Sequence, residues 1–95
     1  MKYVVMQVTS KDGQTMRIPF IFPEIVVHQL AAAVFVPLLQ EHFKNSEVKP
    51  LSAGFLSCMD IEPECHGESE SLGLESLGEL DDELIAGCDY GSMHA

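Results

Sequence analysis

Pro23-Glu24-Ile25-Val26-Val27-His28-Gln29-Leu30-Ala31-Ala32-Ala33-Val34-Phe35-Val36-Pro37-Leu38-Leu39, continuing to Lys44, reads as the one long helix of the chain. Pro23 suits a first helical position, where its missing N–H would be unpaired anyway, and Glu24 places a negative charge at the positive end of the dipole. Lys44 in the last turn and Asn45 beyond it suit the other end, giving about 21 residues and roughly 30 Å of helix. On a helical wheel Val27, Leu30, Ala31, Val34, Phe35 and Leu38 form the expected core stripe. Gln29, Ala33, Val36, Gln40 and Lys44 form the opposite strip. Ala33 and Val36 at the centre of that strip are apolar. Either a second protein surface, such as a symmetry mate, covers them, or the acidic C-terminal part folds over them. Pro37 lacks the donor for the Ala33 carbonyl, which predicts a kink or a split. The strictly apolar run is too short, and interrupted by proline, for a membrane span.

Working outward, Tyr3-Val4-Val5-Met6-Gln7-Val8-Thr9 favours a strand with Val4, Met6 and Val8 on one face. Ser10-Lys11-Asp12-Gly13-Gln14 carries hairpin-turn chemistry, and Met16, Ile18, Phe20 and Phe22 then alternate along a second strand. Pro19 cannot donate a ladder hydrogen bond, so this strand belongs at an edge. The helix is expected on the face of Val4, Met6, Val8, Met16, Ile18 and Phe20.

After the helix, Leu51 to Met59 reads as strand three, with Gly54 marking a bulge or a close backbone approach. Asp60 to Gly67 reads as a loop, and Glu68 to Glu75 as strand four, paired with strand three. Ser76-Leu77-Gly78-Glu79 matches a capping box opening a short helix through Leu80, Leu84 and Ile85 that Gly87 closes. The expected fold is α+β: a single domain over residues 1–87, a two-layer ββαββ(α) arrangement with a largely antiparallel sheet and the long helix on one face, and a frayed tail over residues 88–95.

The charge is lopsided. Residues 60–95 carry eleven acids and no Lys or Arg, so the net charge of −10 originates there. Such a field repels nucleic acid and anionic membrane and speeds encounter with a basic protein surface. The bland alternative is a solvated acidic tail. Met1-Lys2 leads straight into a strand pattern with no secretory leader, which predicts a cytoplasmic protein with reduced thiols at Cys58, Cys65 and Cys88.

Motifs of catalysis are weak. Cys58, Cys65, His66 and either Cys88 or His94 supply metal-ligating atoms but lack the paired C-x2-C knuckle, so separate thiols and a loop histidine are the simpler reading and no metal is expected. His28 and His42 are too far apart along a helix to share a ligand and read as surface or rim residues. Gly67-Glu68-Ser69-Glu70-Ser71 has Ser71 where a nucleophile elbow needs its second glycine. No phosphate-binding glycine loop, cofactor motif or basic nucleic-acid stripe is present. These features argue against an enzyme.

Phe22-Pro23 with Val27-His28, Ser52-Ala53-Gly54-Phe55, and the segment Cys65-His66-Gly67-Glu68-Ser69-Glu70-Ser71-Leu72 resemble small uncharacterised proteins of bacteriophages and prophages. The resemblance spans about residues 18–85 and implies phage origin and a small fold, with no activity attached. The reading that follows is an acidic interaction protein that binds and inhibits a basic host protein or nucleoprotein complex in the manner of anti-CRISPR and other anti-defence proteins. Glu68, Glu70, Glu75, Glu79, Asp81, Asp82 and Glu83 would stand in for nucleic-acid phosphates. Ala33 and Val36 would form a dimer or partner face. The alternative is a self-assembling structural or morphogenetic phage component.

Overall fold

In the computed structural model, which describes residues 1–59 and 62–87, four strands form one antiparallel sheet. These are β1 (Lys2–Thr9), β2 (Thr15–Phe22), β3 (Glu47–Met59) and β4 (Glu62–His66), in the order β2-β1-β3-β4. Helix α1 (His28–His42) connects β2 to β3. After β4, the short strands β5 (Glu68–Ser69) and β6 (Leu74–Glu75) make a separate two-stranded ribbon, and α2 (Glu79–Gly87) follows. The α+β class and the antiparallel sheet agree with the sequence reading. The expected frayed tail lies outside the described residues.

β1 is central, and its run Tyr3-Val4-Val5-Met6 is wholly buried because each face of the sheet carries a helix. Val4, Met6 and Val8 face α1, packing with Ala31, Ala32 and Leu39. Tyr3 and Val5 face the other way and pack with Leu56, Cys65 and Ile85 of α2. The short helix therefore covers the second face of the sheet, opposite α1. β2 pairs only with β1 and is an edge strand, as Pro19 requires. Met16 stays half exposed instead of joining the core.

Helix α1 departs from expectation in length and rotation. It spans 15 residues and starts at His28, while Pro23 and Glu24 sit in a turn before it, with the Val26 N–H donating to the Pro23 carbonyl at 3.0 Å. The β-branched run Ile25-Val26-Val27 disfavours helix, and tertiary contacts hold it otherwise. Glu24 meets the N-terminal ammonium at 3.3 Å, the Val26 carbonyl accepts from Lys2 Nζ at 3.1 Å, and Val27 is extended. α1 continues through Pro37 without being split, and Asn45 beyond its end takes a left-handed φ of 67°.

The buried side of α1 is His28, Ala31, Ala32 and Leu39, with Phe35 and Val36 partly buried against the core. Val27, Leu30, Val34 and Leu38, expected inside, are 50–60% exposed. A helix that is apolar nearly all round leaves its rotation undetermined by periodicity. Here the small side chains of Ala31 and Ala32 let the helix sit close to the sheet, and Phe35 stacks on Phe20 with ring centroids 4.2 Å apart.

In β3 the irregularity falls between Val5 and Met6 of the partner strand, where Leu51 is the extra residue beside Pro50. Gly54 marks the close approach. A Cβ there would lie 2.4 Å from the His66 carbonyl oxygen. The strand paired with β3 is β4, inside the segment read as a loop. Glu68 to Glu75, read as the fourth strand, is the β5–β6 ribbon with a turn at residues 70–73. Pro63 lies on the edge strand β4, where its missing donor is tolerated.

Candidate functional site

The acidic residues singled out from the sequence divide by burial. Glu68, Glu70, Glu75, Glu79 and Glu83 are exposed. Glu68 and Glu75 are cross-strand neighbours in the ribbon, and Glu70 sits in its turn. The one ion pair among the described residues joins Glu24 to the N-terminus, so none of these five carboxylates is ion-paired there. Asp81 and Asp82 do something else.

Asp81 is 2% exposed and holds α2 to the sheet. One carboxylate oxygen, Oδ2, accepts from the Tyr3 hydroxyl at 2.5 Å and from the Leu77 N–H at 2.9 Å, and Oδ1 accepts from the Ser52 hydroxyl at 3.0 Å. A carboxylate buried this completely is not available to a partner surface, which removes Asp81 from the proposed binding face. Asp82 is half-buried and accepts from the Cys65 N–H at 2.5 Å, tying the same helix to β4. The sequence carries a hint of this arrangement in adjacent acids on different faces of a short helix; nothing local names Tyr3 and Ser52 as the partners.

Ser76 also differs from the capping-box expectation. Its Oγ accepts from the Gly78 N–H at 3.0 Å and, because the single Tyr3 hydroxyl proton goes to Asp81, donates to the Tyr3 oxygen at 2.6 Å; Glu79, the first helical residue, is exposed. The Leu77 N–H that precedes the helix is satisfied by Asp81 instead. The internal carboxylate thus replaces the reciprocal cap.

Burial and the Asp81 carboxylate push the Tyr3 hydroxyl well above its ordinary value of 10.0. Burial, then the contact with Asp82, pushes the Cys65 thiol up to about 12. Cys65 is therefore a buried, protonated thiol, poorly suited to bind metal or attack an electrophile. Both groups have raised folded-state values, so the unfolded chain alone ionises once pH exceeds about 9 to 10. Their contribution to stability is intact below that range and is lost as pH rises through it. We expect the melting temperature to hold steady from neutral pH to about 8.5 and to fall above about 9.5. Thermal melts across this range check it, and Tyr3→Phe should flatten the descent above pH 10.

His28 is buried rather than on a rim, and its Nε2 donates to the Gly54 carbonyl at 2.8 Å. The Phe22 and Phe55 rings meet it edge-on, with centroids at 5.5 and 5.8 Å. It borders an open cleft of about 720 Å³ between the start of α1 and the β5–β6 ribbon, with Lys2, Phe55, Glu68, Glu70 and Ser71 also on its walls. The sequence reading missed this cleft, because its walls come from four separate parts of the chain.

Two hydroxyl features resemble catalytic groups and are better explained structurally. Ser57 Oγ lies 3.0 Å from His66 Nε2 across the exposed β3–β4 pair, with no third residue orienting the ring among the described hydrogen bonds. Ser69, at the place of the discounted nucleophile, is 2% exposed and accepts from the Leu72 N–H at 3.2 Å, so it shapes the ribbon turn. Among the described residues no group of three or more His, Cys, Asp or Glu side chains is placed to hold a metal ion. Cys88 and His94 lie outside the described residues, as does the side chain of Cys58.

The other surface feature is the outer side of α1. Leu30, Val34 and Leu38 recur at a spacing of one helical turn and are 60%, 51% and 59% exposed, with Val27 and Ile25 extending the row at 50% and 90%. Of the pair expected to form a self-association face, Ala33 is exposed and Val36 packs partly on the core. No described helix is long and apolar enough to cross a membrane. No known protein family, curated protein or solved structure matches the chain.

Proposed function

We propose that this protein is a non-enzymatic interaction protein that binds and inhibits a basic host protein or nucleoprotein complex in the cytoplasm of a host cell. The role is that of a phage-type anti-defence protein, without a membrane or direct nucleic-acid contact. The observation that carries the reading is the set of five exposed carboxylates, Glu68, Glu70, Glu75, Glu79 and Glu83, none of them ion-paired among the described residues. Unneutralised carboxylates on one small domain offer a basic surface the same charge that nucleic-acid phosphates would. Asp82 lends its charge at the margin of this set, and Asp81 serves the fold.

The test is capture from a bacterial lysate at low and at moderate salt, comparing the native protein with a Glu68→Gln, Glu70→Gln, Glu75→Gln, Glu79→Gln variant. A basic nucleic-acid-handling partner should be retained by the native protein and released as salt rises, and the variant should bind it at least about tenfold more weakly. Equal retention by both proteins, insensitive to salt, would sink the mimicry reading.

The exposed row Leu30, Val34 and Leu38 favours a second reading, a self-assembling structural component that buries this face against another copy. Light scattering separates the two. A concentration-dependent oligomer abolished by Val34→Glu supports self-assembly, and a monomeric mass at every concentration counts against it.

A further inference from the structure

We propose that the cleft at the start of α1 binds a zwitterionic small molecule of the α-amino-acid class. This inference is independent of the inhibitor reading, although Glu68 and Glu70 take part in both. The volume, about 720 Å³, falls within the roughly 300–1,000 Å³ typical of small-molecule sites.

The cleft carries unspent positive potential. Lys2 Nζ donates to the Val26 carbonyl, a neutral acceptor, and its ammonium makes no ion pair among the described residues. The N-terminus of α1 opens beside it with no side-chain cap from Val27 and no acidic residue in its first turn. Ser71 Oγ accepts from the Gln29 N–H at 3.2 Å and lies 3.3 Å from Ser69 Oγ. A carboxylate suits this end of the cleft, where the helix dipole and the ammonium act together.

The cleft is also lined by two acids. Glu68 and Glu70 are exposed and make no ion pair among the described residues, so a simple anion would be repelled by them. A simple cation would meet Lys2 and the helix dipole. A ligand carrying both charges satisfies both sets of groups, its ammonium toward the glutamates and its carboxylate toward Lys2.

His28 supplies an independent sign that a ligand belongs here. The ring is 4% exposed, and its Nε2 must carry a proton because the Gly54 carbonyl it meets only accepts. Nδ1 has no partner among the described residues. No fully buried side-chain nitrogen or oxygen is without a partner among the described residues, so Nδ1 keeps some exposure, and His28 lines the cleft. Nδ1 is a fixed polar atom, on a ring held by Phe22 and Phe55, with no partner among the described residues. Phe55 adds an apolar wall for a side chain. Gly67 keeps that wall clear, since a Cβ there would lie 3.0 Å from the Phe55 ring.

The experiment is a titration of the 15N-labelled 95-residue chain, followed by amide NMR, with L-phenylalanine and its two single-charge analogues, 2-phenylethylamine and 3-phenylpropionate. L-Phenylalanine should give saturable shifts at His28, Gly67 and Ser71, with a Kd about tenfold or more below that of either analogue. Lys2→Met should bring its affinity down to that of the amine, and Glu70→Gln should weaken it, while both variants keep the native spectrum elsewhere. Equal binding of either analogue overturns the proposal in favour of a simple cation or anion site. Absence of saturable shifts with L-phenylalanine, L-leucine and L-glutamine at concentrations on the order of 10 mM overturns it altogether.

Discussion

Asp81→Ala should destabilise the protein by about 3–4 kcal/mol, among the larger effects a single substitution can have. The reason lies in what the carboxylate leaves behind. The Tyr3 hydroxyl, the Ser52 hydroxyl and the Leu77 N–H all point at one buried group, and removing it strands those donors away from water. Each unmet donor costs on the order of 1 kcal/mol or more in such a place. For a domain of this size the melting temperature should drop by on the order of 15 °C. Asp81→Asn is the sharper comparison. It keeps the volume and one acceptor oxygen but turns the other into a donor facing donors, so it should fall between the native protein and the alanine variant. Tyr3→Phe removes one of the donors, and the double variant Tyr3→Phe, Asp81→Ala should lose less than the sum of the two. Strict additivity in chemical denaturation would show that the network does not act as a unit.

Gly54→Ala should cost roughly 2–4 kcal/mol, for a different reason. The new methyl would stand 2.4 Å from the His66 carbonyl oxygen and 3.2 Å from Ser76 Cβ. The carbonyl is backbone, so relief requires β4 to move away from β3. Such a shift also disturbs the Gly54 carbonyl on which His28 is anchored, and the His28 amide and ring signals should move with it. Gly13→Ala is the control. Gly13 sits in the β1–β2 turn at a φ of 90° with open space around it, so alanine there brings backbone strain of about 1 kcal/mol without a clash. If the two variants melt together, the close approach at Gly54 is not what requires glycine.

The elements that a short window of sequence specifies were legible. The β1–β2 hairpin follows from alternation and the Asp-Gly turn, and the Ser10 hydroxyl bonded to Asp12 confirms the turn chemistry. That hydrogen bond also holds the Asp12 carboxyl below its ordinary value. Pro19 predicted an edge, and β2 is one. Strand three and the short second helix were likewise visible. The start of α1 was misplaced, because Pro23 and Glu24 make good helix-opening chemistry while the contacts of Lys2 and Met1 with this turn cannot be read locally. The segment Glu62–His66 lacks strand-like alternation and contains a proline. It becomes a strand by pairing with β3, an influence no local pattern records.

The candidate sites show the same division. That Glu68, Glu70, Glu75, Glu79 and Glu83 would be exposed follows from composition, since unpaired carboxylates are costly to bury. That Asp81 would be buried depends on Tyr3 and Ser52 meeting it from distant parts of the chain. By itself the sequence determined the α+β class, the β1–β2 antiparallel hairpin and the concentration of negative charge from residue 60 onward, because strand alternation, turn chemistry and charge are local properties of the chain. Only the tertiary structure decided which side of α1 faces water, which acid becomes internal, and that Lys2, His28, Phe55 and the ribbon enclose one cleft. Each of those outcomes depends on long-range packing, where an apolar helix can rotate and a carboxylate can be buried only if the matching surface or donors arrive from elsewhere in the fold.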